Sequence, residues 1–306
     1  MTLLVVLVGA VLLDRLLGEP RRWHPLEAFG RLALAGEARG YADSRGRGSL
    51  LVAVLVLPWV ALAALAGQLP HSWLIDLLVL YLAIGWRSLA EHGRAVASAL
   101  EAGDLPLVRQ RVALLVSRDT AALDEEEVAK ATVESILENG NDALFGALFW
   151  CMVAGAPGVV AYRLVNTLDA MWGYRSVRYR RFGWAAARLD DLMNWVPARL
   201  TALAYALVGD TRRALRCWWR QGRQWKSPNA GPVMAAGAGA LGIRLGGAAV
   251  YEGAVESRPS LGERGAATQA DIGRALRLLA RAVLLYLSAF AGGMLLLRTI
   301  GLAGRW

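Results

Sequence analysis

The chain has 306 residues, is 56% hydrophobic and carries 34 Lys and Arg against 25 Asp and Glu, a formal net charge of +9. With a mean hydropathy of +0.37, this composition excludes an ordinary soluble protein of one or two domains and reads as an integral membrane protein. Two cysteines distant in sequence, Cys151 and Cys217, give neither a disulfide framework nor a zinc site. No nucleic-acid module signature accompanies the basic excess, which points instead to membrane topology and anionic lipid.

The first segment, MTLLVVLVGAVLLDRLLGEP, has an apolar stretch from Leu3 to Leu13 but no basic leader and no small-residue cleavage site. It is expected to be a retained membrane segment. A polar block follows, from Asp14 through Glu19-Pro20 and Trp23-His24-Pro25 to Gly30. His24, fixed before a proline, is a candidate to bind an anion or to exchange a proton near neutral pH. Apolar runs at Leu50–Ala66 and Trp73–Trp86 are joined by Gly67-Gln68-Leu69-Pro70-His71-Ser72, a connection typical of a helical hairpin.

An amphipathic stretch from Leu89 to Leu115 leads to Ser117-Arg118-Asp119-Thr120 and then to a second, from Asp124 to Asn139. Glu134, Glu138 and Asp142 recur at i, i+4 and i+8 and are expected on one helical face. Like charges in such a row destabilise a bare helix, so Mg²⁺, a substrate amine or an arginine is expected to neutralise them. A merely solvated acidic face is the alternative.

The apolar run from Ala143 to Val165 is cut by Gly155-Ala156-Pro157-Gly158 into two arms of about a dozen residues, roughly 18 Å each, too short to span alone. A re-entrant helical hairpin is expected, tolerated where protein or a water-filled cavity shields the broken backbone. One kinked spanning helix is the alternative, and would set the polar residues before and after it on opposite faces. With the hairpin re-entrant, every Lys and Arg except Arg298 and Arg305 falls on the side of the long loops, which the positive-inside rule makes cytoplasmic.

From Val165 to Ala202 the chain sets Asn166, Asp169, Arg188, Asp190, Asp191, Asn194 and Arg199 among aromatic and aliphatic residues. Ionisable groups in such surroundings pair with one another, face a cavity or hold a polar substrate. Arg188, Asp191 and Asn194 recur at i, i+3 and i+6, and Asp190 pairs by spacing with Asn194. An amphipathic stretch at Asp210–Lys226 ends in Lys226-Ser227-Pro228-Asn229-Ala230-Gly231-Pro232, before the small-residue run MAAGAGALG. Ser227 or Asn229 could cap a helix whose free amides bind phosphate, with Lys226 supplying charge; the Gly/Ala run permits close packing without any ligand. No GxxxxGK[ST] motif occurs, so a nucleotide bound here would not use the common P-loop.

A last amphipathic stretch at Ala267–Arg281 runs into the apolar segment Ala282–Leu297. Strand alternation is scarcely visible, so the expected fold is all-α: a polytopic integral membrane protein with a re-entrant helical hairpin and cytoplasmic amphipathic helices, forming one membrane-embedded domain over residues 1–306.

Taken in order, the blocks resemble the adenosylcobinamide-phosphate synthases of cobalamin biosynthesis, the CobD/CbiB family. The matching stretches are LLDRLLGEPRRWHPLEAFGR, SRDTAALDEEEVAKATVESILENGND, the run from Gly155 to Ala202 and SPNAGPVMAAGAGALGIRLGG; Tyr251-Glu252-Gly253 and Arg258-Pro259-Ser260-Leu261-Gly262 also fit. Asp142-Ala143 and Ala147 stand where the family usually has Asp-Gly and a proline, and Glu19 stands where it favours Asp.

The resemblance implies an enzyme of the bacterial inner membrane that joins the corrinoid carboxylate of adenosylcobyric acid to aminopropanol or its phosphate, with ATP as co-substrate and Mg²⁺. Within that chemistry Glu134, Glu138 and Asp142 are expected to hold Mg²⁺ or orient the amine, with Glu134 also counted among the catalytic groups. Asp169, Asp190 and Asp191 are expected to serve as metal ligands or base, and Arg118, Arg188 and Lys226 to bind phosphate. His24, Asn166, Asn194, Ser227 and Asn229 are expected to contact substrate. Assembly with other late membrane enzymes of the pathway is a further implication. A regulatory membrane protein similar to AmpE, and a corrinoid-binding scaffold or transporter, are the competing readings. The Asn-Thr-Leu-Asp, Ala-Arg-Leu-Asp-Asp and Ser-Pro-Asn-Ala-Gly blocks favour the synthase, and no inverted repeat supports transport.

Overall fold

The computed structural model describes residues 2–20, 24–174, 176–251 and 253–300. Trp23, Glu252 and Arg305, singled out above, lie outside the described residues. The helices are α1 (Thr2–Leu17), α2 (Pro25–Gly40), α3 (Arg45–Ala66), α4 (Trp73–Ala83), α5 (Trp86–Glu101), α6 (Leu105–Val112) and α7 (Glu125–Gly140). A π-helical turn, Asn141–Phe145, leads into α8 (Gly146–Trp172), followed by α9 (Tyr179–Phe182), α10 (Trp184–Met193), α11 (Trp195–Val208), α12 (Thr211–Gln221) and α13 (Ala230–Leu241). Five short strands come next: β1 (Ile243–Gly246), β2 (Ala249–Tyr251), β3 (Ala254–Glu256), β4 (Ser260–Gly262) and β5 (Gly265–Ala266). The long α14 (Gln269–Thr299) closes the order.

Among the described residues, four helical stretches are long and apolar enough to cross a membrane: Arg45–Ala66, Trp73–Glu101, Glu125–Trp172 and Gln269–Thr299. Leu50, Val54, Leu57, Leu62 and Leu65 on α3 are all more than half exposed, the outward apolar face expected of a helix solvated by lipid. The protein is therefore a predominantly helical membrane protein.

Five short strands among the described residues accompany this predominantly helical fold. β1 pairs antiparallel with β4 and parallel with β5, and β2 with β3 forms a separate hairpin. With at most four residues each, they are too short to carry a legible alternation. Their turns use Gly246, Gly247, Gly253 and Gly262, all at positive φ.

The chain forms two compact units, each drawn from several stretches: residues 1–85, 142–194 and 294–306 in one, 86–141 and 195–293 in the other. The core of the first gathers Phe29 and Ala33 of α2, Val52, Leu55 and Val56 of α3, Leu164, Leu168 and Trp172 of α8, and Phe182 and Ala186. Glu37 at the end of α2 is buried there and accepts hydrogen bonds from Trp172 Nε1 (2.9 Å), Tyr179 (3.1 Å) and Arg178 (2.7 and 3.0 Å). This one carboxylate ties α2 to the end of α8 and to α9.

In the second unit, α7 and α13 are buried almost all round. The Gly/Ala run of α13 is used for close packing: a Cβ on Gly237 would meet Leu137 at 2.6 Å, and one on Gly239 would meet the backbone of Ala214 at 2.8 Å.

Within the first unit α8 is two helices in series. Ala154 (φ −143°, ψ 15°) and Gly155 (φ 60°, ψ −149°) leave helical geometry, and only glycine adopts the second combination without strain. The arms then lie side by side: the Tyr162 hydroxyl is 3.0 Å from the Asp142 carbonyl, and a Cβ on Gly146 would fall within 2.7 Å of the Tyr162 ring. A straight helix would separate positions 146 and 162 by roughly 24 Å. The first amide of the second arm, Ala156 N, donates to Asp76 Oδ1 of α4 at 2.6 Å, so Asp76 acts as an N-cap supplied from another helix.

Candidate functional site

The fold-back brings the π turn, the second arm of α8 and α10 to one place. Arg163 Nη1 donates to the Asp142 carbonyl and to Asn166 Oδ1, each at 3.2 Å. Asn166 Nδ2 donates to Asp190 Oδ1 at 3.1 Å, and Asn194 Nδ2 donates to both oxygens of Asp190 at 3.1 Å. Tyr162 closes the ring with Asn194 Oδ1 at 3.0 Å from its hydroxyl. Tyr162 and Asn194 are buried, whereas Arg163, Asn166 and Asp190 are half-buried. Burial raises the Asp190 carboxyl above the ordinary aspartate value; the two amides oppose that shift, Asp191 reinforces it and Arg163 opposes it.

Of the residues singled out by sequence, Asn166, Asp190 and Asn194 are thus joined directly, and Asp142 enters through its carbonyl. Asp191 lies next in the chain and pairs with exposed Arg188 at 3.6 Å. Asp169 sits one turn beyond Asn166, where a Cβ on Gly173 would clash with its carboxylate. His24 is the N-cap of α2: its Nδ1 accepts from Leu26 N at 3.3 Å, while its buried Nε2 has no hydrogen-bond partner. Tyr162 and Arg163 were not anticipated. The i, i+3 spacing of Arg163 and Asn166 was the available signal.

The second unit treats its candidates differently. Glu134, 3% exposed, accepts from Arg118, from Arg258 at 3.1 and 3.3 Å, and from Gly246 N at 2.7 Å. The expected neutraliser of the acidic row is therefore arginine at this position. Glu134 and Glu138 lie one turn apart on α7, and Asp142 falls in the π turn that follows. Among the described residues no group of three or more His, Cys, Asp or Glu side chains is placed to hold a metal ion.

Lys226 pairs with Glu256 at 2.6 Å. Asn229 occupies the N-cap position of α13 without capping it, and its Oδ1 accepts from Arg199 at 2.6 Å instead. The capping falls to Ser227, whose hydroxyl accepts from Asn229 N (3.2 Å) and Ala230 N (3.1 Å).

A family model described as "CobD/Cbib protein" matches residues 7–279. The chain belongs to the CobD/CbiB family. That is the family of adenosylcobinamide-phosphate synthases to which the sequence motifs pointed, and it makes this family member an enzyme of cobalamin biosynthesis. Among its relatives, "Cobalamin biosynthesis protein CobD" of Stutzerimonas stutzeri is 61% identical over 275 residues, 88% of this chain and 90% of the relative. The protein of the same name from Chromobacterium violaceum is 53% identical over 301 residues, covering 95% and 96% of the two chains. That from Mycobacterium tuberculosis is 42% identical over 279 residues, 89% of each. No solved structure matches the chain.

Proposed function

We propose that this CobD/CbiB family member forms the amide between the corrinoid carboxylate of adenosylcobyric acid and the amine of aminopropanol or aminopropanol phosphate, through ATP-dependent activation of the carboxylate. The observation that carries the reading is the hydrogen-bonded polar set around Asp190, within a family committed to cobalamin biosynthesis. A carboxylate anion repels an amine and offers no leaving group. Transfer of the γ-phosphoryl of ATP to its oxygen gives an acyl phosphate and ADP. Attack by the neutral amine on the carbonyl carbon then forms the C–N bond, breaks the bond from that carbon to the phosphate oxygen and requires a base to take the ammonium proton.

Asp190 fits the base, since burial raises its proton affinity above that of an ordinary aspartate. Asn166 and Asn194 hold its orientation, and Arg163 carries positive charge beside the developing anion. Asp191 and Asp169 are the further carboxylates for Mg²⁺. They suit the mode in which one or two carboxylates share the ion with water and substrate phosphates, rather than an all-protein cage. Bound Mg²⁺ would neutralise phosphate charge. Arg188, beside Asp191, is assigned to phosphate.

The folded-back arms of α8 enter the bilayer from the cytoplasmic side of the inner membrane and return, shielded by α3 and α4. The long basic loops are cytoplasmic.

The test is turnover of purified chain in detergent with adenosylcobyric acid, aminopropanol phosphate, Mg²⁺ and ATP, followed by mass spectrometry of the corrinoid. A product with the mass of the amide, dependent on ATP, supports the proposal. Corrinoid binding without product would favour a scaffold, and neither would favour a regulatory protein similar to AmpE.

A further inference from the structure

The first unit carries a basic mouth beside an apolar groove; the mouth shares no residue with the set around Asp190, and the groove meets that site at Arg188, the partner of Asp191. The mouth, about 560 Å³, is lined by Ser44, Arg45, Gly46, Arg180 and Arg181. Among the described residues these guanidiniums form one ion pair, Arg181 with Asp43 at 3.5 Å; both side chains of that pair are more than half exposed, so it neutralises little. The neighbouring acid Glu37 is already held by Arg178, Tyr179 and Trp172. Ser44 stands at the start of the 22-residue α3 without a side-chain cap bond.

The groove, about 440 Å³, is lined by Ser49, Val52, Val56, Trp184 and Leu189 among others. Arg45, Ser49, Val52 and Val56 fall at i, i+4, i+7 and i+11 of α3, so mouth and groove follow one face of the same helix. Trp184 links them: it lines the groove and lies under the Arg45 guanidinium, 5.3 Å from its ring centroid. α3 is one of the four helices fit to cross a membrane, and Arg45 is its first residue. A cluster of arginines and a tryptophan where such a helix begins is the arrangement found at a bilayer surface.

We infer that mouth and groove together bind one anionic phospholipid, its phosphate among Arg45, Arg180 and Arg181 and an acyl chain along α3 beneath Trp184. The charge selects the occupant, because a zwitterionic lipid presents a cation to the same three guanidiniums. The apolar groove excludes a free phosphate as the sole ligand. The far wall of the groove is α10, the helix that carries Asp190, so the lipid buttresses the element on which the polar set is built.

The test uses the full chain purified in neutral detergent and titrated with phosphatidylglycerol or with phosphatidylcholine of the same acyl chains, the bound fraction being read by native mass spectrometry. Phosphatidylglycerol is expected to bind at least tenfold more tightly. The combined variant Arg45→Gln, Arg180→Gln, Arg181→Gln, altered only at exposed side chains, should erase that preference and weaken phosphatidylglycerol about a hundredfold. Ser49→Trp, which fills the groove, should weaken both lipids. Equal binding of the two lipids, retention of the preference in the arginine variant, or displacement of phosphatidylglycerol by equimolar inorganic phosphate would each overturn the inference.

Discussion

Glu134 offers a direct way to separate a carboxylate that holds the fold from one that does chemistry. Its side chain is 4% exposed, and the guanidiniums of Arg118 and Arg258 that bracket it are 6% and 7% exposed. Replacing Glu134 with Leu leaves two buried cations without their shared counter-ion, at a cost of about 3–5 kcal/mol. The Gly246 amide also loses its acceptor, a penalty of about 1–3 kcal/mol that overlaps with the first. For a unit of this size a loss of that order lowers the melting temperature by roughly 10 °C or more. Adding Arg118→Met and Arg258→Met to Glu134→Leu removes the stranded charges, and the triple variant should recover most of the loss. The assay is thermal unfolding of the purified chain in one detergent at matched concentration, with corrinoid turnover measured on the same samples. A Glu134→Leu protein as stable as the parent but inactive would refute the structural assignment and return Glu134 to the catalytic groups. A triple variant less stable than the single one would refute the charge argument.

Asp190→Asn should abolish amide formation while stabilising the fold at neutral pH. Because the folded carboxyl titrates above its unfolded value, its ionised form costs stability as pH rises through the folded pKa, with Asp191 opposing ionisation and Arg163 favouring it. The advantage of Asn in melting temperature should therefore shrink on acidification; a pH-independent difference would contradict this. Asp76→Asn keeps an acceptor for Ala156 N and should retain most turnover. Asp76→Ala strands that amide at a cost of about 1–3 kcal/mol, and should lower kcat more than it changes KM, because the arm carrying Arg163 and Asn166 loses its cap. Equal behaviour of the two variants would dismiss the capping role. Tyr162→Phe should reduce kcat by about tenfold with the fold intact, which circular dichroism and turnover together would check.

The membrane character, the helical runs and the break beside Pro157 were all legible because they rest on local composition and on the conformations open to glycine. Asn166, Asp190 and Asn194 could be chosen because polar residues stand out in an apolar stretch and helical spacing pairs the last two. What could not be read depends on distant partners. Arg258 is 124 residues from Glu134 in sequence, and nothing local says that this carboxylate is already claimed by two arginines. The π turn at Asn141–Phe145 is equally silent, since no residue pattern there sets it apart from an ordinary helical turn. Arg163 read as one more basic residue at the end of an apolar run until the fold-back set it against Asp142.

The turn at Ala154–Gly155 also changes the arithmetic of parity along the chain. Hydropathy counts Glu125–Trp172 as a crossing, yet the backbone leaves and returns at the same end of that hairpin. In the proposed re-entrant topology this hairpin adds zero to the tally, and every downstream segment keeps the sidedness it had before residue 142. A fusion reporter placed after Trp172 should therefore give the same compartment signal as one placed before Asn141, although a hydropathy plot would assign them opposite signs.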